Sequence, residues 1–203
     1  MNIPTTPQCY QFFRETEMLD HIAAHSIQVC RVALLLTDHI NNGTTRLDRN
    51  LVRASALLHD ITKTRSIRTG ERHADTGGEF LTERGYPEVG SVVRQHVRLD
   101  LYSDDSPVTE AEVVNYADKR VLHDQVALLA DRLSYIMERY GTTPELRGRL
   151  EKIWKKTETL EQKLFRALPF SPEALIRQLP TPDCKTELSE YLHAPDERLT
   201  ALI

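Results

Sequence analysis

Residues 54–63 read ASALLHDITK, an apolar stretch that ends on His59, Asp60 and, three positions later, Lys63. The spacing of its apolar residues predicts a helix, with Asp48 as the N-cap, that delivers an imidazole and a carboxylate at its C-terminal end. Such groups are costly to bury unless something binds them, and a metal ion can bind both at once. The stretch therefore predicts a helical core that carries a candidate metal centre.

The same arrangement recurs along the chain, where apolar residues at helical spacing share a face with a histidine or an aspartate. Ile22 and Val29 flank His25 in a helix predicted over about 17 to 40, which Asn41-Asn42-Gly43 ends. Three further helices each bring one more such residue inward, namely His73, His96 and Asp118. A single histidine on an apolar face is more often an ordinary core residue, but a set of this size favours a shared metal ion.

The periodicity is helical almost throughout, with no convincing strand, so the predicted fold class is all-α. The polar and basic stretch 61–72 is predicted to be a loop, and Thr109 with Glu112 forms a capping box that opens a later helix. We expect one helical core domain over 1–141, followed by a helical extension over 142–203 whose role the sequence leaves open, either an appendage of the core or a dimerisation surface. Pro180 and Pro182 predict a break before a short final helix.

Composition limits the classes of function. The 203 residues are 40% hydrophobic and 28% charged, which is ordinary globular usage. No apolar run reaches the roughly 18 residues that a membrane helix needs, and the first residues lack the pattern of a signal peptide, so we expect a cytoplasmic protein. The net charge of −4 argues against broad nucleic-acid binding. The three cysteines form no C-x-x-C pair, so nitrogen and oxygen ligands must hold any metal, which favours Mn, Fe, Co, Zn or Mg.

The ligand pattern resembles that of the HD superfamily of metal-dependent phosphohydrolases. His25 in HSIQVCRVALLL, His59-Asp60 in LLHDITK and Asp118 in VVNYADKRV correspond to the family's histidine, His-Asp pair and distant aspartate. LLHDITK differs from the usual LLHDIGK at Thr62. The two extra histidines of dinuclear members have counterparts in His73 and His96, and the resemblance covers roughly residues 17 to 140.

The resemblance implies a helical bundle that binds one or two divalent ions. One ion would be held by the first group of matching residues, His25, His59, Asp60 and Asp118. A second ion would be held by His73 and His96, with Asp60 as a bridge. His21, one helical turn before His25 on the same face, is the alternative to His25.

The resemblance further implies metal-assisted hydrolysis of a phosphate ester or anhydride, with Asp60 and Lys63 as catalytic residues. Basic side chains near the ligands are the candidates for binding the phosphate: Lys63, Arg65, Arg68, Arg72, Arg98 and Lys119. His123 and Asp124 form a second His-Asp pair without companion ligands, so we expect at most a substrate contact there.

Similar folds act on many phosphorylated compounds, and a fold does not settle a function. A small phosphorylated substrate, a nucleotide or a dinucleoside polyphosphate, is the first expectation. The same ligand set also fits a di-iron oxygenase that activates oxygen. A third alternative is a non-catalytic nucleotide-binding sensor, which would bind without turnover.

Overall fold

Helices follow one another along nearly all of the part that the computed structural model describes, residues 1–166 and 168–179. In chain order they are α1 Thr6–Glu15, α2 Asp20–Ile40, α3 Arg49–Leu58, α4 Lys63–Thr69, α5 His73–Glu83, α6 Pro87–Arg94, α7 Glu110–Lys119, α8 Leu129–Tyr140, α9 Pro144–Phe165 and α10 Leu175–Gln178. A 3₁₀ turn at Pro172–Ala174 precedes α10. The all-α prediction is confirmed, and none of the helices described is both long and apolar enough to span a membrane.

A small hairpin lies between α7 and α8, where no strand was predicted. Strand β1, Val121–Leu122, pairs antiparallel with β2, Gln125–Val126. The two residues that join the strands are His123 and Asp124, and His123 has a positive φ of 58°. The hairpin is too short for an alternating pattern to be visible in the sequence. It matters because its turn lies beside the candidate site described below.

Two of the predicted helix starts are confirmed by their capping hydrogen bonds. The Asp48 carboxylate accepts from the backbone N–H groups of Asn50 and Leu51, at 2.8 and 3.1 Å. Thr109 and Glu112 form the reciprocal capping box at the start of α7. Both caps satisfy backbone donors that have no partner inside the helix.

Two local predictions were wrong. Residues 61–72 are not a continuous loop, because α4 forms within them and ends at Gly70, whose φ of 76° stops a helix. This helix has no apolar stripe, since Thr64 is its only buried residue, and periodicity therefore gives no signal for it. Helix α6 ends at Arg94, so His96 lies beyond the helix rather than on its face, although it is still buried.

The core is organised around α2, which packs against α3 and α7. Its inward residues, among them Val29, Ala33 and Leu36, have no measurable exposure. Helices α3 and α7 also contact each other, and α6 packs against both of them. The residues predicted as ligands lie on or next to these packed elements.

The C-terminal helix α9 packs against α7. The ammonium of Lys163 lies 2.7 Å from a carboxylate oxygen of Glu112, and both side chains are almost completely buried. Trp154, Leu160 and Leu164 of α9 belong to the same hydrophobic core as α2 and α3. The division of the chain at residue 141 stays a prediction, and the final helix expected after Pro180 lies outside the described residues.

Helices α5 and α6 approach each other closely enough that only glycine fits at their contact. A Cβ added to Gly90 would lie 2.5 Å from the carbonyl oxygen of Gly78 and 2.7 Å from the Thr82 hydroxyl. A Cβ added to Gly78 would lie 2.8 Å from the carbonyl oxygen of Gly90. This close packing ties together the two helices that carry His73 and lead to His96.

We predict that Gly90→Ala lowers the free energy of unfolding by about 1–3 kcal/mol, because the added methyl group must push the two helices apart. The control is Gly148→Ala in α9, where a Cβ would meet nothing within 4 Å. Removing a helical glycine there should instead stabilise the protein by about 0.5–1 kcal/mol. Urea denaturation measures both changes, and equal stabilities for Gly90→Ala and the unaltered protein would contradict the packing argument.

Candidate metal centre

Six side chains from different parts of the helical core meet in two groups of three. Within each group the candidate ligand atoms all lie within 4.8 Å of one another. The first group is His25, His59 and Asp118, and the second is Asp60, His73 and His96. We call them the first and the second triad. They contain every residue that the sequence analysis named as a metal ligand.

The carboxylate of Asp60, a member of the second triad, also faces the first triad. One oxygen, Oδ1, is 3.1 Å from Nε2 of His73 and 3.6 Å from Nε2 of His96. The other oxygen, Oδ2, is 3.6 Å from Nε2 of His59 in the first triad. A carboxylate with one oxygen toward each triad can bridge two ions.

Backbone carbonyls fix the orientation of three of the imidazoles. The Nδ1 atoms of His25, His59 and His96 lie 2.8, 2.8 and 2.7 Å from the carbonyl oxygens of His123, Ala56 and Val93, respectively. A carbonyl oxygen can only accept, so each Nδ1 must carry the proton. Each Nε2 is then turned into the site, where a neutral ring offers its lone pair. The hairpin turn thus serves the site through the backbone of His123.

The ligand atoms of the triads are arranged to bind a cation rather than to form hydrogen bonds with one another. Nε2 of His59 is completely buried and has no hydrogen-bond partner among the described residues. Nε2 of His73 and Nε2 of His96 face each other at 3.1 Å. Lone pairs that converge in this way repel one another unless a proton or a metal ion lies between them, and imidazole with carboxylate suits Zn, Mn, Fe, Co or Mg. The residues present therefore fit a divalent ion.

Four of the six candidate ligands have pKa values that favour the protonation state needed to bind a metal ion. Burial lowers the pKa of His59 to about 3, and burial also lowers the pKa of His73. Burial alone would raise the pKa values of Asp60 and Asp118, but neighbouring imidazole and ammonium groups outweigh it and hold both well below the usual range. At neutral pH these histidines are neutral and these aspartates are ionised, which leaves their ligand atoms free of protons.

Two residues near the triads hold ligands in place through the backbone. The hydroxyl of Thr62, the position where the family usually has glycine, donates to the carbonyl of His73 at 2.9 Å and so anchors the start of α5. The buried ammonium of Lys119 donates to the carbonyls of His96 and Asn115, at 2.7 and 3.1 Å. Lys119 therefore supports the second triad, and these two carbonyls occupy two of its three N–H donors.

A cavity of about 930 Å³ opens over the triads. Its lining includes five of the six candidate ligands together with Lys63 and Lys119. Helices α8 and α9 contribute a wall that consists mainly of apolar and aromatic side chains: Tyr135, Ile136, Tyr140, Leu150, Ile153 and Trp154. The cavity thus combines the polar groups of the candidate metal centre with an apolar wall.

Few of the predicted phosphate-binding residues reach this cavity. Arg65 instead pairs with Glu71 at 2.8 Å, and Arg72 pairs with Asp75 at 3.1 Å. Arg68 and Arg98 are exposed and do not line the cavity. The geometry does not support a phosphate-binding role for these four arginines, because each side chain lies on the outer surface.

Lys63 does reach the site, as predicted. Its ammonium lies 3.5 Å from Oδ1 of Asp60 and 3.3 Å from Nε2 of His73. His21 and the His123-Asp124 pair also line the cavity, but the structure places none of them in a triad. His21 is exposed, whereas His25 is buried in the first triad.

The sequence analysis missed the cavity residues of α8, above all Arg132. This arginine is one turn after Leu129 and one turn before Ile136, so it lies on the apolar stripe of its helix. The signal was the same as for the histidines, a polar residue on an inward face. It was overlooked because an arginine is not a metal ligand.

Comparison with known proteins places the core of the chain in a family. Residues 22–136 match the family model of the HD domain. A solved structure described as a predicted HD superfamily hydrolase, from an uncultured Thermotogales bacterium, aligns with 81% of this chain and 94% of its own, at 20% identity and a TM-score of 0.46.

Curated proteins with similar sequences include two longer enzymes. A tRNA (cytidine(56)-2'-O)-methyltransferase of Picrophilus torridus is 30% identical over 149 residues, which are 68% of this chain and 41% of the methyltransferase. The protein of the same name from Thermoplasma volcanium is 27% identical over 132 residues, 64% of this chain and 37% of its own. An uncharacterized protein of Methanocaldococcus jannaschii is 25% identical over 135 residues, 60% of this chain and 79% of its own.

This chain spans less than half of either methyltransferase, so their name describes longer proteins and assigns no activity to it. The HD domain model, in contrast, covers more than half of the chain and includes all six residues of the two triads. The protein therefore belongs to the HD domain family, the superfamily of metal-dependent phosphohydrolases that its sequence resembles.

Proposed function

We propose that this protein is a metal-dependent phosphohydrolase that cleaves a phosphate ester or anhydride of a nucleotide or a dinucleoside polyphosphate. The observation that carries the proposal is the pair of triads joined by Asp60. A divalent ion bound there supplies a nucleophilic water at neutral pH and polarises a phosphoryl oxygen.

The side chains of the chain itself have distinct tasks in this proposal. His25, His59 and Asp118 would hold one ion, His73 and His96 would hold a second, and Asp60 would serve both. Lys63 is only 32% exposed and its ammonium lies at the shared carboxylate, so it is placed to bind a phosphoryl oxygen next to the ions. Its positive charge would then stabilise the charge that develops on the phosphoryl group.

The apolar wall of the cavity supports an organic substrate rather than inorganic phosphate chains. Tyr135 and Trp154 offer aromatic rings, and Ile136 and Ile153 offer aliphatic surface, in the wall from α8 and α9. Any nucleobase can stack on an aromatic side chain, because every base has a π-face. This is the feature that favours a nucleoside as the group that carries the phosphate.

We predict that His25→Ala loses bound metal whereas His21→Ala keeps it. His25 is in the first triad, and His21 is an exposed histidine one turn away. His96→Ala should lower the metal content from two ions to one. Inductively coupled plasma mass spectrometry of protein purified in the presence of Mn²⁺ measures the content. Metal loss in His21→Ala but not in His25→Ala would reverse the assignment.

We predict that hydrolysis of one substrate class disappears in Asp60→Ala, together with both metal ions, because this residue serves both triads. The experiment measures product release from nucleotides, dinucleoside polyphosphates and cyclic nucleotides, with Mn²⁺, Co²⁺, Fe²⁺ or Mg²⁺ supplied. Full activity of Asp60→Ala would refute the site. If the metal-loaded protein releases no product from any of these compounds, the di-iron oxygenase or the non-catalytic sensor is favoured instead.

Lys63→Ala should lower turnover roughly 10- to 100-fold while the metal stays bound, since one charged hydrogen bond to the phosphoryl group is lost. The matched control is Lys152→Ala, which removes an exposed lysine of α9 that is absent from the cavity lining. Steady-state kinetics and metal content are measured on both variants. Loss of metal in Lys63→Ala would show that the lysine supports the ligands rather than the substrate.

A further inference from the structure

Four lysines and arginines line the cavity, and Arg132 differs from the other three in how its donors are used. The ammonium of Lys119 donates to two backbone carbonyls, and that of Lys63 lies against Asp60 and His73. Arg139 is exposed and donates to the hydroxyl of Tyr135 at 3.3 Å. Among the described residues, Arg132 donates no hydrogen bond of this kind.

The guanidinium of Arg132 lines the cavity and its charge is only partly compensated. Its side chain is 17% exposed, and its Nε is buried with no hydrogen-bond partner among the described residues. The carboxylate of Asp118 forms a long ion pair with it, because Oδ1 lies 3.9 Å from Nη2, too far for a hydrogen bond. That same oxygen is 3.1 Å from Nε2 of His25.

Burying an arginine in this position costs free energy unless an anion pairs with its charge. The guanidinium stays charged at any pH a protein tolerates, and burying a charge without a partner is strongly unfavourable. If Asp118 is committed to a metal ion, Arg132 has even less of its charge compensated. Its five N–H donors lie in a planar fork that matches the oxygens of a phosphate group.

We propose that Arg132 binds the phosphoryl group of the substrate and so forms, with Lys63, the phosphate subsite of the cavity. Arg132 is next to Asp118 of the first triad, and Lys63 is next to Asp60, which both triads share. A phosphoryl group bound at the ions is therefore flanked by one cation from α4 and one from α8. This inference rests on the proposed function, because it assumes that a phosphate compound occupies the cavity.

Helix α8 thereby gains a double role. It supplies the phosphate anchor through Arg132 and part of the apolar wall through Tyr135 and Ile136, one turn further along. A substrate with a phosphate at one end and an apolar or flat group at the other would contact both.

The test measures binding of inorganic phosphate to the full chain loaded with Mn²⁺, by isothermal titration calorimetry. Arg132→Met, which keeps the length of the side chain but removes its charge and donors, should weaken phosphate binding roughly 10- to 100-fold. Arg132→Lys, which keeps the charge but not the fork, should bind with intermediate affinity. The control is Arg149→Met, an exposed arginine of α9 outside the cavity lining, which should bind phosphate normally.

Metal content separates this role from a purely structural one. Arg132→Met should retain as much Mn²⁺ as the unaltered protein. If the variant instead loses metal while the fraction that keeps it binds phosphate normally, Arg132 only positions Asp118 and the proposal is wrong. If Arg132→Met does not fold, Arg132→Gln gives the same comparison with a polar side chain.

The failure of this inference and the failure of the proposed function give different results. Phosphate binding that depends on Arg132, in a protein that hydrolyses nothing in the substrate panel, would leave the inference standing and refute the function. Hydrolysis with an unchanged KM and unchanged phosphate affinity in Arg132→Met would refute the inference alone. No phosphate binding by the metal-loaded unaltered protein would overturn the inference as well.

Discussion

The constraint on which the rest of the structure depends is the burial of imidazole and carboxylate groups whose ligand atoms point at one another. Nε2 of His59 is buried without a partner, and Nε2 of His73 faces Nε2 of His96 at 3.1 Å. Such groups cannot be removed from water at an acceptable free energy unless a common partner compensates them. Divalent ions held by the two triads, as in the proposed function, would provide that compensation, and the carboxylates of Asp60 and Asp118 would balance their charge.

Contacts near the triads and further from them hold the ligands in this arrangement. Backbone carbonyls at the end of α3, after α6 and in the hairpin turn hold one nitrogen of three imidazoles, so that the other nitrogen faces the site. Gly78 and Gly90 let α5 and α6 meet closely. Thr62 ties the first turn of α5 to the residues that follow Asp60. Each contact restricts the conformation of a ligand side chain before an ion binds. Such preorganisation strengthens binding, because less conformational entropy is lost.

The C-terminal helices extend the site from a metal centre to a cavity. Helix α9 is joined to α7 by the buried pair of Lys163 and Glu112, and α7 carries Asp118. Because α8 and α9 form the apolar wall of the cavity, the part of the chain beyond the ligand motifs shapes the space next to them. In the proposed function this wall selects the organic part of the substrate, while the triads and the two cations act on the phosphate.

The sequence by itself determined the helical fold, through the spacing of its apolar residues, and it indicated the candidate ligands through that spacing together with the resemblance to the HD superfamily. It also predicted the caps at Asp48 and Thr109, which depend on neighbouring residues. It could not show α4, whose residues form no apolar stripe, nor that the four predicted arginines lie on the outer surface. Only the tertiary structure decided that Arg132 faces the cavity and how the two oxygens of Asp60 divide between the triads, since both depend on contacts between residues far apart in the chain.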